Sequence, residues 1–197
     1  MEHRYEDLIT LFNGLFEQRY RTRLVRGNDE PLYRPATTPD ETHQVIFAHG
    51  FFASALHEVS HWCVAGTKRR ELEDYGYWYL PDGRDADQQR AFEAAEVVPQ
   101  AIEMLLSEAC AFHFNVSVDN LNGDAEVDRD AFADKVNAQA KCYKREGLPV
   151  RAETFRQALE GFYQHGISCS KAIMLAGAWH DEQHVSGQRT RCQSTLV

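Results

Sequence analysis

The sequence predicts a single α+β domain, a small sheet packed by helices, with a metal site on one helix. Three observations carry that expectation. Residues 5–16, 86–111, 128–146 and 152–165 read as helices, the run Val45-Ile46-Phe47-Ala48 is short and β-prone, and His57-Glu58-Val59-Ser60-His61 sets two imidazoles one helical turn apart. With 197 residues, 43% hydrophobic and 26% charged, the chain suits one domain with a real core and excludes disordered and fibrous classes.

Taken in order, Leu8, Ile9, Leu11, Phe12, Leu15 and Phe16 recur at helical spacing and predict an amphipathic helix. Residues 26–31 then read as a turn, 32–35 as extended chain and 36–41 as a loop. The strand at 45–48 is expected to run straight into a helix over residues 53–64, for which Gly66 is a suitable stop. Tyr75-Gly76-Tyr77-Trp78-Tyr79-Leu80 reads as an aromatic extended segment, followed by a turn at Pro81-Asp82-Gly83-Arg84-Asp85. A long helix over 86–111 carries Pro99, which predicts a kink or break, and residues 112–118 read as a short strand or extended loop. The domain is expected to close at residue 165. The extension 166–197 holds a short helix near 167–177, and polar residues from 181 onward are expected to be mobile.

The chemistry lies in the H-E-x-x-H stretch. On a helix its two histidines reach one ion at about 2.0–2.2 Å, while Glu58 falls on another angle, as a base or orienting group. Small and apolar neighbours on both sides make these ionisable groups part of a core-like segment, where polar groups need partners. A third ligand must come from elsewhere. Glu96 is favoured because Ala94, Ala95, Val97 and Val98 flank it, which makes it a costly buried charge without a cation; His49 is the alternative. Glu93, three residues before Glu96, then becomes a catalytic or substrate-facing group. His43, His113, His165, His180 and His184 are read as surface or packing residues without a partner at ligand spacing. Two histidines and a carboxylate suit either an oxygen-activating Fe(II) or a catalytic zinc, and spacing does not choose between them. A zinc peptidase with Glu58 as general base, a metal-dependent endoribonuclease and a purely structural metal site therefore stay open.

Composition narrows the partners. A net charge of −9 disfavours nucleic acid and favours a cationic substrate. No apolar run approaches the roughly 18 residues that span a bilayer and no signal peptide is evident, so the expectation is a cytoplasmic protein without membrane contact. Five widely spaced cysteines with no C-x-x-C pair are expected to be reduced.

Several stretches resemble one known family. They include Phe47-Ala48-His49-Gly50-Phe51, Ala53-Ser54-Ala55-Leu56-His57-Glu58, Ser60-His61-Trp62-Cys63, Gly76-Tyr77-Trp78-Tyr79, Pro81-Asp82-Gly83-Arg84-Asp85-Ala86, Phe92-Glu93 with Glu96-Val97, and Pro99-Gln100-Ala101. Together they resemble the elongation factor P hydroxylases over roughly residues 5–165. The resemblance implies an Fe(II) site of His57, His61 and Glu96, with molecular oxygen as co-substrate and elongation factor P bearing β-lysyl-lysine as protein substrate. It also implies a fold similar to zincins and to a metal-dependent ribonuclease, which carries no implication of ribonuclease activity. On this reading Glu58 orients a ligand or metal-bound water. Tyr77, Tyr79, Asp82 and Arg84 are candidates to line the slot for the substrate's ammonium-bearing side chain.

Overall fold

The computed structural model describes residues 2–76, 83–118 and 128–186. Helix α1 (Tyr5–Tyr20) leads into strands β1 (Thr22–Arg26), β2 (Leu32–Arg34) and β3 (His43–Phe47). Helices α2 (Phe52–Val64), α3 (Ala86–Cys110), α4 (Arg129–Glu146), α5 (Val150–Tyr163) and α6 (Cys169–Ser186) follow. The strands form a three-stranded sheet in the order β1-β3-β2, with β1 parallel and β2 antiparallel to β3. The result is an α-rich domain with a small mixed sheet.

Strand β1 has no counterpart among the elements that the sequence predicts. The segment is too short to announce itself, and β3 supplies its ladder: Leu24, buried, stands opposite Val45. Between β3 and α2 the chain needs a tight reversal, and His49 (φ 52°) and Gly50 (φ 79°) both take the left-handed conformation there. An added Cβ at Gly50 would also meet the Arg26 and Tyr5 side chains at 3.1 Å, so these would have to give by a few tenths of an ångström.

Helix α2 buries Ala55, Leu56, Val59, Trp62 and Cys63. Trp62 packs edge-on against Phe12 and tilted against Phe16, and the Arg151 guanidinium sits 4.5 Å from the indole centroid. The same Arg151 donates to the carbonyls of Cys63 and Ala65, and Arg70 donates to that of Ala65. Two cations thus hold the carboxyl end of α2, where the helix dipole favours them.

Helix α3 opens on a capping box at Asp85, whose side chain accepts from the N–H groups of Asp87 and Gln88. It runs unbroken across Pro99. The expected break does not occur, because the helix is held from both sides by α2, α4 and α5. Residues 112–118 take the loop form of the two that were expected, and the Gln100 side chain meets the backbone of Ser117 in both directions, at 2.6 and 3.0 Å. The predicted aromatic strand fails at its start, where Tyr75 lies in a 3-10 turn, buried and stacked on Tyr33 at 4.2 Å. Residues 77–80 lie outside the described residues.

The extension up to residue 186 is helical where its polarity predicted a mobile tail, and residues 187–197 lie outside the described residues. Helix α6 continues through Asp181 to Ser186, packed against α5 and α1, and Arg19 grips Asp181 with bonds of 2.8 and 2.7 Å. Those tertiary contacts supply what the weak apolar stripe lacks. Cys63, Cys110 and Cys169 carry free thiols, whereas Cys142 is disulfide-bonded, which corrects the expectation for that residue.

Unfolding in urea should separate core from cap. Phe12→Ala, at a fully buried ring, is expected to cost about 3–5 kcal/mol. Asp85→Ala is expected to cost about 1 kcal/mol. Equal losses would show that the Phe12, Phe16 and Trp62 cluster is not the core that anchors α2.

Candidate metal centre

Helix geometry places His57 and His61 on the face of α2 that meets α3, with their Nε2 atoms 3.1 Å apart. Glu96 of α3 comes up against both: Oε1 lies 3.2 Å from His61 Nε2 and Oε2 lies 3.6 Å from His57 Nε2. One donor atom from each of these residues falls within 4.8 Å of the other two. Among the described residues this is the group of histidine and carboxylate side chains that meets that condition. His49 does not join it. Its side chain is exposed in the turn before α2 and touches Phe51 instead.

The surroundings orient these donors. Glu103, two turns along α3 from Glu96 and 8% exposed, accepts from His57 Nδ1 at 2.8 Å. This bond keeps a hydrogen on Nδ1 and turns Nε2 toward His61 and Glu96, so that Nε2 is the nitrogen left bare once the ring gives up its extra proton. Gln100 does the same for the carboxylate. Ser117 N–H needs the Gln100 Oε1 as acceptor, so the amide N–H group must face Glu96, where it donates to Oε2 at 3.2 Å. Neither Glu103 nor Gln100 was singled out in the sequence. The available signal was their spacing of seven and four residues from Glu96, which keeps all three on one face of α3.

Burial and charge act in opposite directions here. Burial alone would raise the Glu96 carboxyl, but His61 and His57, with the Gln100 N–H, hold it down at about 2. Burial alone would depress His57, yet the carboxylates of Glu103, Glu96 and Glu58 carry it up to about 10. Glu58 points elsewhere on α2, and burial pushes its carboxyl above the ordinary value, with the two imidazoles opposing and Glu96 and Asp74 reinforcing. Asp74 and Tyr75 beside it both hold left-handed backbone angles, stabilised where the Asp74 carboxylate accepts from Tyr33 N–H at 2.8 Å.

The other candidates divide. Glu93 lies half-buried one turn before Glu96, held by Gln89 at 3.3 Å and by Lys135 at 3.5 Å. Arg84 is only 2% exposed; its guanidinium donates to Gln89 and lies 3.9 Å over the Phe92 ring. Tyr77, Tyr79 and Asp82 lie outside the described residues. The donor set itself fits a divalent transition ion: two imidazole nitrogens, one buried carboxylate, and a hydrogen bond from behind on His57 and on Glu96.

A protonated His57 must lose its proton to bind an ion. Because its pKa lies at about 10, metal uptake near pH 7 should release close to one proton from this residue, and affinity should climb with pH until about 10. Calorimetry in buffers of different ionisation heat counts that proton. Glu103→Ala should weaken metal binding by roughly 10–100-fold and remove most of the proton release. A pH-independent affinity would show that His57 is not a ligand.

A family model for elongation factor P hydroxylase matches residues 11–173. Over 163 residues the chain is 53% identical to the elongation factor P lysine hydroxylase of Haemophilus influenzae, covering 83% of this chain and 91% of that protein. Histidines 57 and 61 and the carboxylates of Glu96 and Glu103 all fall inside the matched segment. The chain belongs to the elongation factor P hydroxylase family.

Proposed function

We propose that this chain is an iron-dependent hydroxylase of the β-lysyl-lysine modification on elongation factor P, with His57, His61 and Glu96 as metal ligands. The observation that carries the reading is the convergence of two imidazole nitrogens and one buried carboxylate in a member of this family. A facial set of two histidines and one carboxylate leaves positions open on the ion, as oxygen-using iron centres require. When bound there, Fe(II) supplies the redox chemistry that turns O₂ and external electrons into a C–H hydroxylation.

The chain's own residues prepare that centre. Glu103 keeps the His57 proton on Nδ1, so that Nε2 is free to ligate. Gln100 occupies one oxygen of Glu96 and favours ligation through the other, Oε1, which already lies nearer His61. Glu58, whose carboxyl burial raises above the ordinary value, lies between the two histidines in sequence and serves to orient a ligand or an ion-bound water. Glu93 supplies negative charge beside the site for a substrate ammonium group, and the overall charge of −9 adds long-range attraction. Arg84, stacked on Phe92 and bonded to Gln89, steadies the first turns of α3 on which Glu93 stands. The sequence offers Tyr77 and Tyr79 for the aliphatic stem of the substrate side chain and Asp82 for its ammonium charge. No helix among the described residues is long and apolar enough to cross a membrane, and a translation factor as substrate fits a cytoplasmic location.

Intact mass of elongation factor P bearing β-lysyl-lysine tests this directly. Incubation with the chain, Fe(II), O₂ and a reductant should add the mass of one oxygen atom. The gain should vanish in Glu96→Ala and His61→Ala while their far-ultraviolet circular dichroism stays that of the parent. Full activity in Glu96→Ala, or no gain with the parent chain at any reductant, would sink the proposal.

A further inference from the structure

A second pair of histidines stands one helical turn apart at the other end of the molecule. Residues 180–184 read His-Asp-Glu-Gln-His, a spacing that becomes meaningful only because α6 continues to Ser186. The two Nε2 atoms lie 3.0 Å apart, close to the 3.1 Å that separates those of His57 and His61. The phenol oxygen of Tyr20, at the end of α1, lies 3.0 Å from His180 Nε2 and 3.1 Å from His184 Nε2. The earlier reading of these histidines as lacking a partner at ligand spacing is therefore corrected.

Proton counting shows what this triangle lacks. The Thr154 hydroxyl donates to the Val150 carbonyl at 2.7 Å, so its oxygen must accept from His180 Nδ1, 2.8 Å away. In the neutral ring this leaves His180 Nε2 bare and aimed at the triangle, the arrangement typical of a ligating histidine held from behind. Tyr20 brings one proton, and a neutral His184 brings at most one more. Two protons then serve three close contacts, so even in the best tautomer one N–H is shared between two acceptors. A cation at the centre satisfies all three donors at once.

We propose that Tyr20, His180 and His184 form a second metal site, selective for late first-row divalent ions such as Zn(II), Ni(II) or Cu(II), which staples α6 to α1. A tetrahedral ion at about 2.0–2.1 Å from each ligand needs donors roughly 3.3–3.4 Å apart, an expansion of a few tenths of an ångström. The two imidazoles favour such ions over hard, oxygen-seeking ones. Arg70 and Arg151 flank the Tyr20 ring at 5.8 and 5.6 Å, where their charge favours the phenolate that ligates the ion once the phenol proton has passed to solvent. His180 is buried while His184 is exposed, which leaves an entry path from solvent. Both histidines lie past residue 173, beyond the segment that the family model matches.

Metal content of the full chain after equilibrium dialysis against Zn(II) or Ni(II) decides the matter. The parent should hold one more ion per chain than His184→Ala, and His184→Gln should repeat that loss in case the smaller residue frays α6. Tyr20→Phe, which removes only the oxygen, should weaken the extra ion by at least the roughly 10–100-fold that loss of an outer partner costs. Because the readout is a difference between parent and variant, it does not depend on the centre at His57, His61 and Glu96. Equal ion counts in the parent and both His184 variants would overturn the proposal and leave the triad as a hydrogen-bonded clamp.

Discussion

The contact of α2 with α3 is the constraint on which the rest of the structure depends. It puts Glu96, 4% exposed, against two imidazoles, and an unpaired carboxylate at that depth would cost several kcal/mol or take up a proton. His57 answers by holding a proton, drawn by Glu103 as well as Glu96. In the absence of an ion the protonated ring stands where cationic charge is needed. The site is thus prepared for a cation by the same burial that makes it expensive.

Much of the remaining fold serves to keep α2 in place. The aromatic group of Phe12, Phe16 and Trp62 fixes the face opposite the histidines, and Arg70 and Arg151 cap the carboxyl end. The left-handed turn at His49 and Gly50 delivers the amino end from β3. On α3 a single side chain, Gln100, links Glu96 to the backbone of Ser117, so the extended segment after the helix is coupled to the carboxylate. Packing that fixes rotamers in this way limits how far the donors can drift, which a metal centre requires.

The helices were legible because their apolar spacing and caps are local properties. The predicted helix over 53–64 matches α2 within one residue at its start, and Asp85 and Asp128 cap α3 and α4 where turn residues meet helical ones. What was not legible depended on distant partners. Strand β1 exists because β3 lies beside it, and α6 persists because α1 and α5 hold it. Misreading the end of α6 as an unstructured tail also hid the spacing of His180 and His184.

Local chemistry determined that His57 and His61 share a face, since residues four apart on a helix have no choice about direction. It also determined that Glu96 needs a counter-charge, because apolar neighbours announce its burial. Only the tertiary structure decided that the counter-charge is this histidine pair, that His49 stays outside, and that Glu103 stands behind His57. It alone brought Tyr20 across about 160 residues to His180 and His184. The reason is physical: spacing along a helix is set by the backbone, but which helix faces meet is set by the burial of all the others at once.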